Sequence, residues 1–212
     1  MRRVGRVAVV ALATGLLGGV GTSWGATMTL TSAHLGASAL TTPAMFPVSV
    51  TVANKAGGNA GKPQNGDIIT IVWSQQIDES TMCSTWTNAL STQSINLQWS
   101  IVDGTAPNND KLNVTGTSAT CVGGFHVGSI DLGSAGYDTS TTSIDFPSST
   151  NALSVGASTT TLTVTLNGQK NGTAGTVSSG NAAVYTPDAA LKDRSARTCG
   201  SNLAQSSATV QF

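Results

Sequence analysis

Charge is scarce in this chain. Only 9% of its 212 residues are Asp, Glu, Lys or Arg, and Glu79 is the sole glutamate. Helical bundles dress their solvent faces with Glu and Lys, so this shortage argues against one. Aromatic residues reach only 5%, and there are 2 histidines. The formal net charge is zero, but Arg2, Arg3 and Arg6 lie close to the start. Beyond them, 7 basic residues face 10 acidic ones, a balance of −3. No basic stripe exists to neutralise phosphates, which disfavours nucleic-acid binding. A membrane-spanning helix needs about 20 apolar residues, and no stretch after residue 26 provides them. The 3 cysteines show no CxxC spacing of the kind zinc sites use.

What is plentiful is Ser and Thr, 56 residues together, with 24 glycines and a hydrophobic fraction of 39%. The first 25 residues divide into three zones: the arginines, an uncharged apolar run from Val7 to Val20, and Ser23-Trp24-Gly25. Small residues at Ser23 and Gly25 suit the −3 and −1 positions of a cleavage site before Ala26. This is the layout of a secretory signal peptide over residues 1–25. The mature chain is then expected to be secreted, extracellular or at the cell surface.

An oxidising compartment favours disulfide pairing over metal ligation. Three cysteines allow one bridge and one remainder. Cys83–Cys121 is the favoured pair, because both lie in one half of the domain; Cys121–Cys199 is the alternative. On the loop-entropy model the 38-residue separation makes such a bridge worth roughly 4 kcal/mol. Cys199 is then a free thiol, either buried or open to another chain.

Apolar residues alternate with polar ones along most of the mature sequence. Ile69, Ile71 and Trp73 form one such series, Ile95, Leu97, Trp99 and Ile101 a second, and Leu162, Val164 and Leu166 a third. Val210 and Phe212 continue the pattern at the end. Period two buries one face of a strand and wets the other, and β-branched Thr on the wet face favours extended backbone. Shorter strand candidates are Met28–Ser32, Pro47–Val52, Lys111–Thr115, Val127–Leu132, Thr142–Phe146 and Ala182–Thr186. Asn65-Gly66, Asp103-Gly104, Gly123-Gly124 and Asn167-Gly168 supply turn chemistry between them. The pattern predicts an all-β sandwich of antiparallel strands with one or two short helical turns. Asp78 is placed to cap a helix from Glu79 to about Leu90, with Met82, Trp86 and Leu90 on one face. A second helical turn is expected from Pro187 to about Lys192. By composition, residues 26–54 form an N-terminal strand segment, 55–66 a flexible Gly-rich tether and 67–212 the sandwich.

Candidates for chemistry are few. His126 follows a glycine turn and reads as a surface or strand-end residue, and His34 lies in the N-terminal segment. No GxSxG turn is present, and no two carboxylates stand out as a glycosidase pair. Asp78-Glu79 reads as a helix N-terminus. Asp103 with Asn108-Asn109-Asp110 offers oxygen ligands for calcium but lacks a closing Glu, so it reads as a solvated hairpin turn. Trp73, Trp86 and Trp99 fall on apolar faces and read as core, with a sugar-stacking platform as the alternative. No catalytic residue, metal or cofactor is expected.

Three stretches carry a resemblance. Gly66–Trp86 (GDIITIVWSQQIDESTMCSTW) has a Gly-Asp turn, an alternating strand ending in Trp73-Ser74, and the Ile77-Asp78 turn. Val184–Cys199 has Tyr-Thr-Pro and a downstream Asp193, and Gly128–Gly133 (GSIDLG) fits between them. The start of the mature chain, TMTLTSAHLGAS, looks like the leaders of the same proteins. Together these resemble bacterial Ig-like domains of exported and surface-layer proteins, actinobacterial ones in particular. Two departures are Glu79, where a Pro is usual, and Ser195-Ala196-Arg197, where an Ala-Gly-Asn turn is usual. The resemblance implies an Ig-like β-sandwich with a structural or adhesive role outside the cell. It brings no catalytic residues.

The expected function is accordingly a secreted or cell-envelope module that contacts a protein or an envelope glycan surface. One alternative is a subunit that self-associates by exchanging its N-terminal strand, with Cys199 locking chains together; a carbohydrate-binding module is the other. The first prediction is that the exported chain begins at Ala26. Intact mass of the secreted protein checks this, and a retained residue 1–25 segment would refute it.

Overall fold

The computed structural model describes residues 43–88, 92–104, 108–116, 120–208 and 210–212. The expected signal segment over residues 1–25, the candidate strand Met28–Ser32, His34 and Leu90 lie outside the described residues. Nine strands follow in chain order: β1 (Pro47–Ala53), β2 (Ile68–Trp73), β3 (Gln93–Val102), β4 (Lys111–Val114), β5 (Gly128–Asp131), β6 (Ile144–Val155), β7 (Thr160–Thr165), β8 (Val184–Pro187) and β9 (Ala204–Gln205). A single helical turn, α1 (Glu79–Met82), follows β2. The fold is all-β. The strands form one antiparallel sheet in the order β1-β2-β7-β6-β3-β4-β5-β8-β9.

Alternation builds that sheet row by row. Ile144, Ile101, Leu112, Ile130 and Tyr185 are cross-strand partners from β6 through β3, β4 and β5 to β8, and all are fully buried. The adjacent row, Val102–Lys111–Asp131–Val184, points the other way. Trp73 on β2 meets Tyr185 on β8 edge to face, with ring centroids 5.9 Å apart. Those strands lie one in from opposite edges, so the sheet folds over and its two halves enclose one core. The edge strand β1 comes to lie beside β8 and β9.

β6 runs well past the expected Phe146. Pro147 lacks an N–H and ordinarily marks a sheet edge or a bulge. Here Leu97 pairs with Ser149 and Trp99 with Phe146, so β6 carries one extra residue opposite Gln98. The bulge holds Pro147 in an interior strand. Its backbone is secured when Ser149 Oγ donates to Phe146 O (2.9 Å) and Ser148 N donates to Asn167 O (3.2 Å). Asn151 on the same strand is fully buried, accepts from Trp99 Nε1 at 2.7 Å and donates to Ile95 O at 3.2 Å.

Three expectations need correction. The helix from Asp78 stops at Met82, because Cys83 is extended (φ −142°) and Trp86 turns in against Phe125 at 5.5 Å. Asp78 still caps it, accepting from Ser80 N and Oγ at 3.2 and 2.7 Å. Beyond Pro187 the chain makes one tight turn, closed by Leu191 N to Asp188 O, instead of a helix. Val210–Phe212 forms no strand: Gln211 is fully buried, its N–H donating to Tyr137 Oη at 2.6 Å, and Phe212 packs on the Tyr137 ring at 5.4 Å.

The Gly-rich link is also better held than its composition suggests. β1 pairs with β2 within the chain, and Asp67 accepts from Lys55 N (3.0 Å) and Gln64 N (2.7 Å) across the link. Gly61 donates to Phe212 O and accepts from Val177 N. Its φ is +76°, and a Cβ there would lie 2.0 Å from Val177 O, so only glycine fits.

Cys83 and Cys121 are joined in a disulfide, with Cα atoms 4.8 Å apart. It ties α1 to the turn before β5. Replacing both by serine should lower unfolding stability by about 4 kcal/mol. Denaturant titration of the variant against wild type checks this, and an unchanged midpoint would refute it.

Candidate functional site

The structure disperses most of the candidate residues. Cys199 is buried, and its backbone N–H bonds Leu191 O at 2.8 Å. Burial, with the nearby Asp193 charge, pushes its thiol up to about 11. Reactive thiols show the opposite shift, so Cys199 packs as core. Trp73 and Trp99 are fully buried and Trp86 is 6% exposed, which leaves no aromatic platform at those positions.

His126 comes within 3.3 Å of Asp188, Nδ1 to Oδ2. Both side chains are open to solvent, at 41% and 34% exposure, and neither lines a cleft described below. Screened pairs of this kind contribute little. The arrangement is a half-exposed side-chain contact next to β5, in keeping with the surface or strand-end reading of His126.

Two sets of polar residues line clefts. The first lies where the turn after β2 meets the segment beyond β8, with a volume of about 420 Å³ between Ser74–Gln76, Ala157, Ser158 and Asp193–Ser195. Most of its charged and amide side chains are bonded to one another or to backbone carbonyls. Arg194 Nη2 donates to the fully buried Glu79 at 2.6 Å and its Nη1 to Gln76 Oε1 at 3.4 Å. Gln76 Nε2 donates to Gly156 O at 2.8 Å, and Gln75 Nε2 to Pro43 O. Arg197 bridges Asp193 (2.7 Å) and Gln75 Oε1 (2.8 Å). Sequence reading placed Glu79 at a helix start; its pairing with an arginine 115 residues away was invisible there.

Asp193 anchors the turn that holds these arginines. Its Oδ1 accepts from Ser195 N (2.8 Å) and Arg197 N (3.1 Å). Burial alone would raise its carboxyl, but the hydrogen bonds and positive charge of Arg197, with the Ser195 N–H, hold it below the usual value. Ala196 in this turn has φ +63°, a left-handed conformation unusual for a residue with a Cβ.

The second cleft, about 460 Å³, lies on the outer face of β3, β4 and β5. Val102, Asp103, Gly104, Asn108 and Asn109 form one side, and Lys111, Asn113 and Asp131 the floor. Asp110, grouped with this turn on sequence, points inward instead. It is fully buried and accepts from Gly104 N (3.1 Å), Tyr137 N (2.8 Å) and Asp138 N (2.9 Å). That corrects the solvated-turn reading for Asp110: its carboxylate is a clamp for three backbone donors. Among the described residues, no three His, Cys, Asp or Glu side chains converge as a metal site.

Comparison with family models, curated proteins and solved structures yields no match to this chain. The site must therefore be judged on its own chemistry.

The Asp193 anchor has a pH signature. A carboxyl held low in the folded state adds stability that is present above its unfolded value and is lost as pH falls through the folded one. Wild-type stability should therefore fall below the ordinary carboxylate range, and Asp193→Asn should flatten part of that fall. Thermal melts of both proteins over an acid pH series check this; parallel curves would refute it.

Proposed function

We propose that this chain is an exported cell-envelope module with a structural or adhesive role and no catalytic step. The observation that carries the proposal is how its charged side chains are used. Asp110, Asp193, Glu79, Arg194 and Arg197 hold loops to the sheet through short hydrogen bonds. Such groups are committed to rigidity, which suits a scaffold presenting a fixed surface.

The address rests on the arginine-led apolar leader and on the Cys83–Cys121 bridge. Disulfides form and persist where the surroundings are oxidising. The resemblance of Gly66–Trp86 and Val184–Cys199 to exported bacterial Ig-like domains points the same way.

The test is expression of the full chain in an exporting bacterial host, with thiols alkylated before lysis. We expect the Ala26 form in the medium or sedimenting with isolated envelopes, bridged at Cys83–Cys121 and carrying one alkylatable thiol after denaturation. An unprocessed chain in the cytoplasm with three reduced cysteines would overturn the proposal. So would hydrolytic turnover abolished by His126→Ala.

A further inference from the structure

The outer face of β3, β4 and β5 carries the second cleft. Its floor is Lys111, Asn113 and Asp131, with Lys111 and Asp131 cross-strand partners. Directly beneath lie Ile101, Leu112 and Ile130, all fully buried, so the floor is fixed by the core. The rim is positioned by Asp110, which takes Gly104 N at 3.1 Å. A Cβ on Gly104 would stand 2.1 Å from Asn109 O, so the backbones of residues 104 and 109 touch there. This contact places Asn108 and Asn109 at the edge of the cleft.

Four polar side chains that line the cleft are open to a ligand. The carboxamides of Asn108, Asn109 and Asn113 and the Lys111 ammonium make no hydrogen bond to a described residue. Asp131 spends Oδ1 on Gly133 N at 2.9 Å and keeps Oδ2. We propose that this cleft binds a neutral sugar unit of a glycan.

The match is one of donors and acceptors. A sugar hydroxyl both gives and takes a hydrogen bond, and a carboxamide offers one of each. Lys111 and Asp131, directly opposite each other across β4 and β5, add charge-assisted bonds of both kinds. Val102, 40% exposed, supplies a small apolar contact for the C–H face of a pyranose. Two carboxylates, Asp103 and Asp131, against one lysine make the cleft net negative, which disfavours phosphorylated or acidic sugars. The volume of about 460 Å³ falls within the span of small-ligand sites. With no aromatic ring in the lining, affinity per site is low and a multivalent surface strengthens it. The site deepens the adhesive reading by naming what is held, and it rests on that reading only for the glycan's source.

The experiment uses the purified mature chain, tetramerised through a biotin tag on streptavidin. It is applied to immobilised neutral oligosaccharides of glucose, mannose, galactose and N-acetylglucosamine, with sialylated and sulfated glycans alongside. Binding to at least one neutral glycan is expected, unchanged by EDTA. Asn109→Ala and Asn113→Ala should each weaken it about tenfold, the loss of one or two good hydrogen bonds. Both side chains hold nothing in the fold, so melting temperatures should stay at the wild-type value. Ser158→Ala in the other cleft should bind as wild type. No neutral glycan bound, binding only to acidic glycans, loss on EDTA treatment, or full binding by both variants would each overturn the proposal. Envelope sedimentation reads out separately: if it persists while every glycan fails, the sugar site falls and the envelope role stands.

Discussion

Buried carboxylates gripping backbone N–H groups are the interaction on which the loops of this protein depend. Asp67 closes the link between β1 and β2, Asp110 ties the β3–β4 connection to residues 137 and 138, and Asp193 shapes the turn before Cys199. All three carboxylates are almost fully buried. Each buried N–H left unpaired would cost about 1–3 kcal/mol, so one side chain satisfying two or three of them has large leverage. In Asp67 burial wins over the donors and the carboxyl is raised; in Asp193 the donors and Arg197 win and it is lowered. The same device appears with opposite acid–base consequences.

A chain with so few charges still buries five of its carboxylates, Asp67, Glu79, Asp110, Asp138 and Asp193. Strand faces are wetted by Ser and Thr, whose hydroxyls cost little to expose and little to pair. Asp145 shows the pairing: burial tends to raise its carboxyl, but Ser100, Asn171, Ser143 and Gln98 together hold it low. The cleft on β3, β4 and β5 is lined by polar side chains, Asn108, Asn109 and Asn113 among them.

The resemblance to exported Ig-like domains and the observed strand order speak to different levels of the problem. Short turn and strand motifs describe local geometry, whereas strand order depends on which edges meet. Here β6 inserts between β7 and β3, and it does so through the bulge at Pro147. Without the bulge, the core faces on either side of Gln98 would fall out of step.

Period-two alternation was legible in Ile69–Trp73, Ile95–Ile101 and Leu162–Leu166 because burial on one face is written into every second residue. The cap at Asp78 was legible because it is local, and Cys83–Cys121 was the favoured pair, with Cys121–Cys199 as the alternative, because both cysteines lie in one half of the domain. The roles of Asp67, Asp110, Asp193 and Glu79 were not legible. An aspartate in a turn has the same sequence signature whether it faces water or the core. Only the folding of the sheet decides which loops are covered and therefore which carboxylates must find donors. Phe212 and Gln211 illustrate the limit: alternation assigned them opposite faces, and contact with Tyr137 from a distant loop buried both.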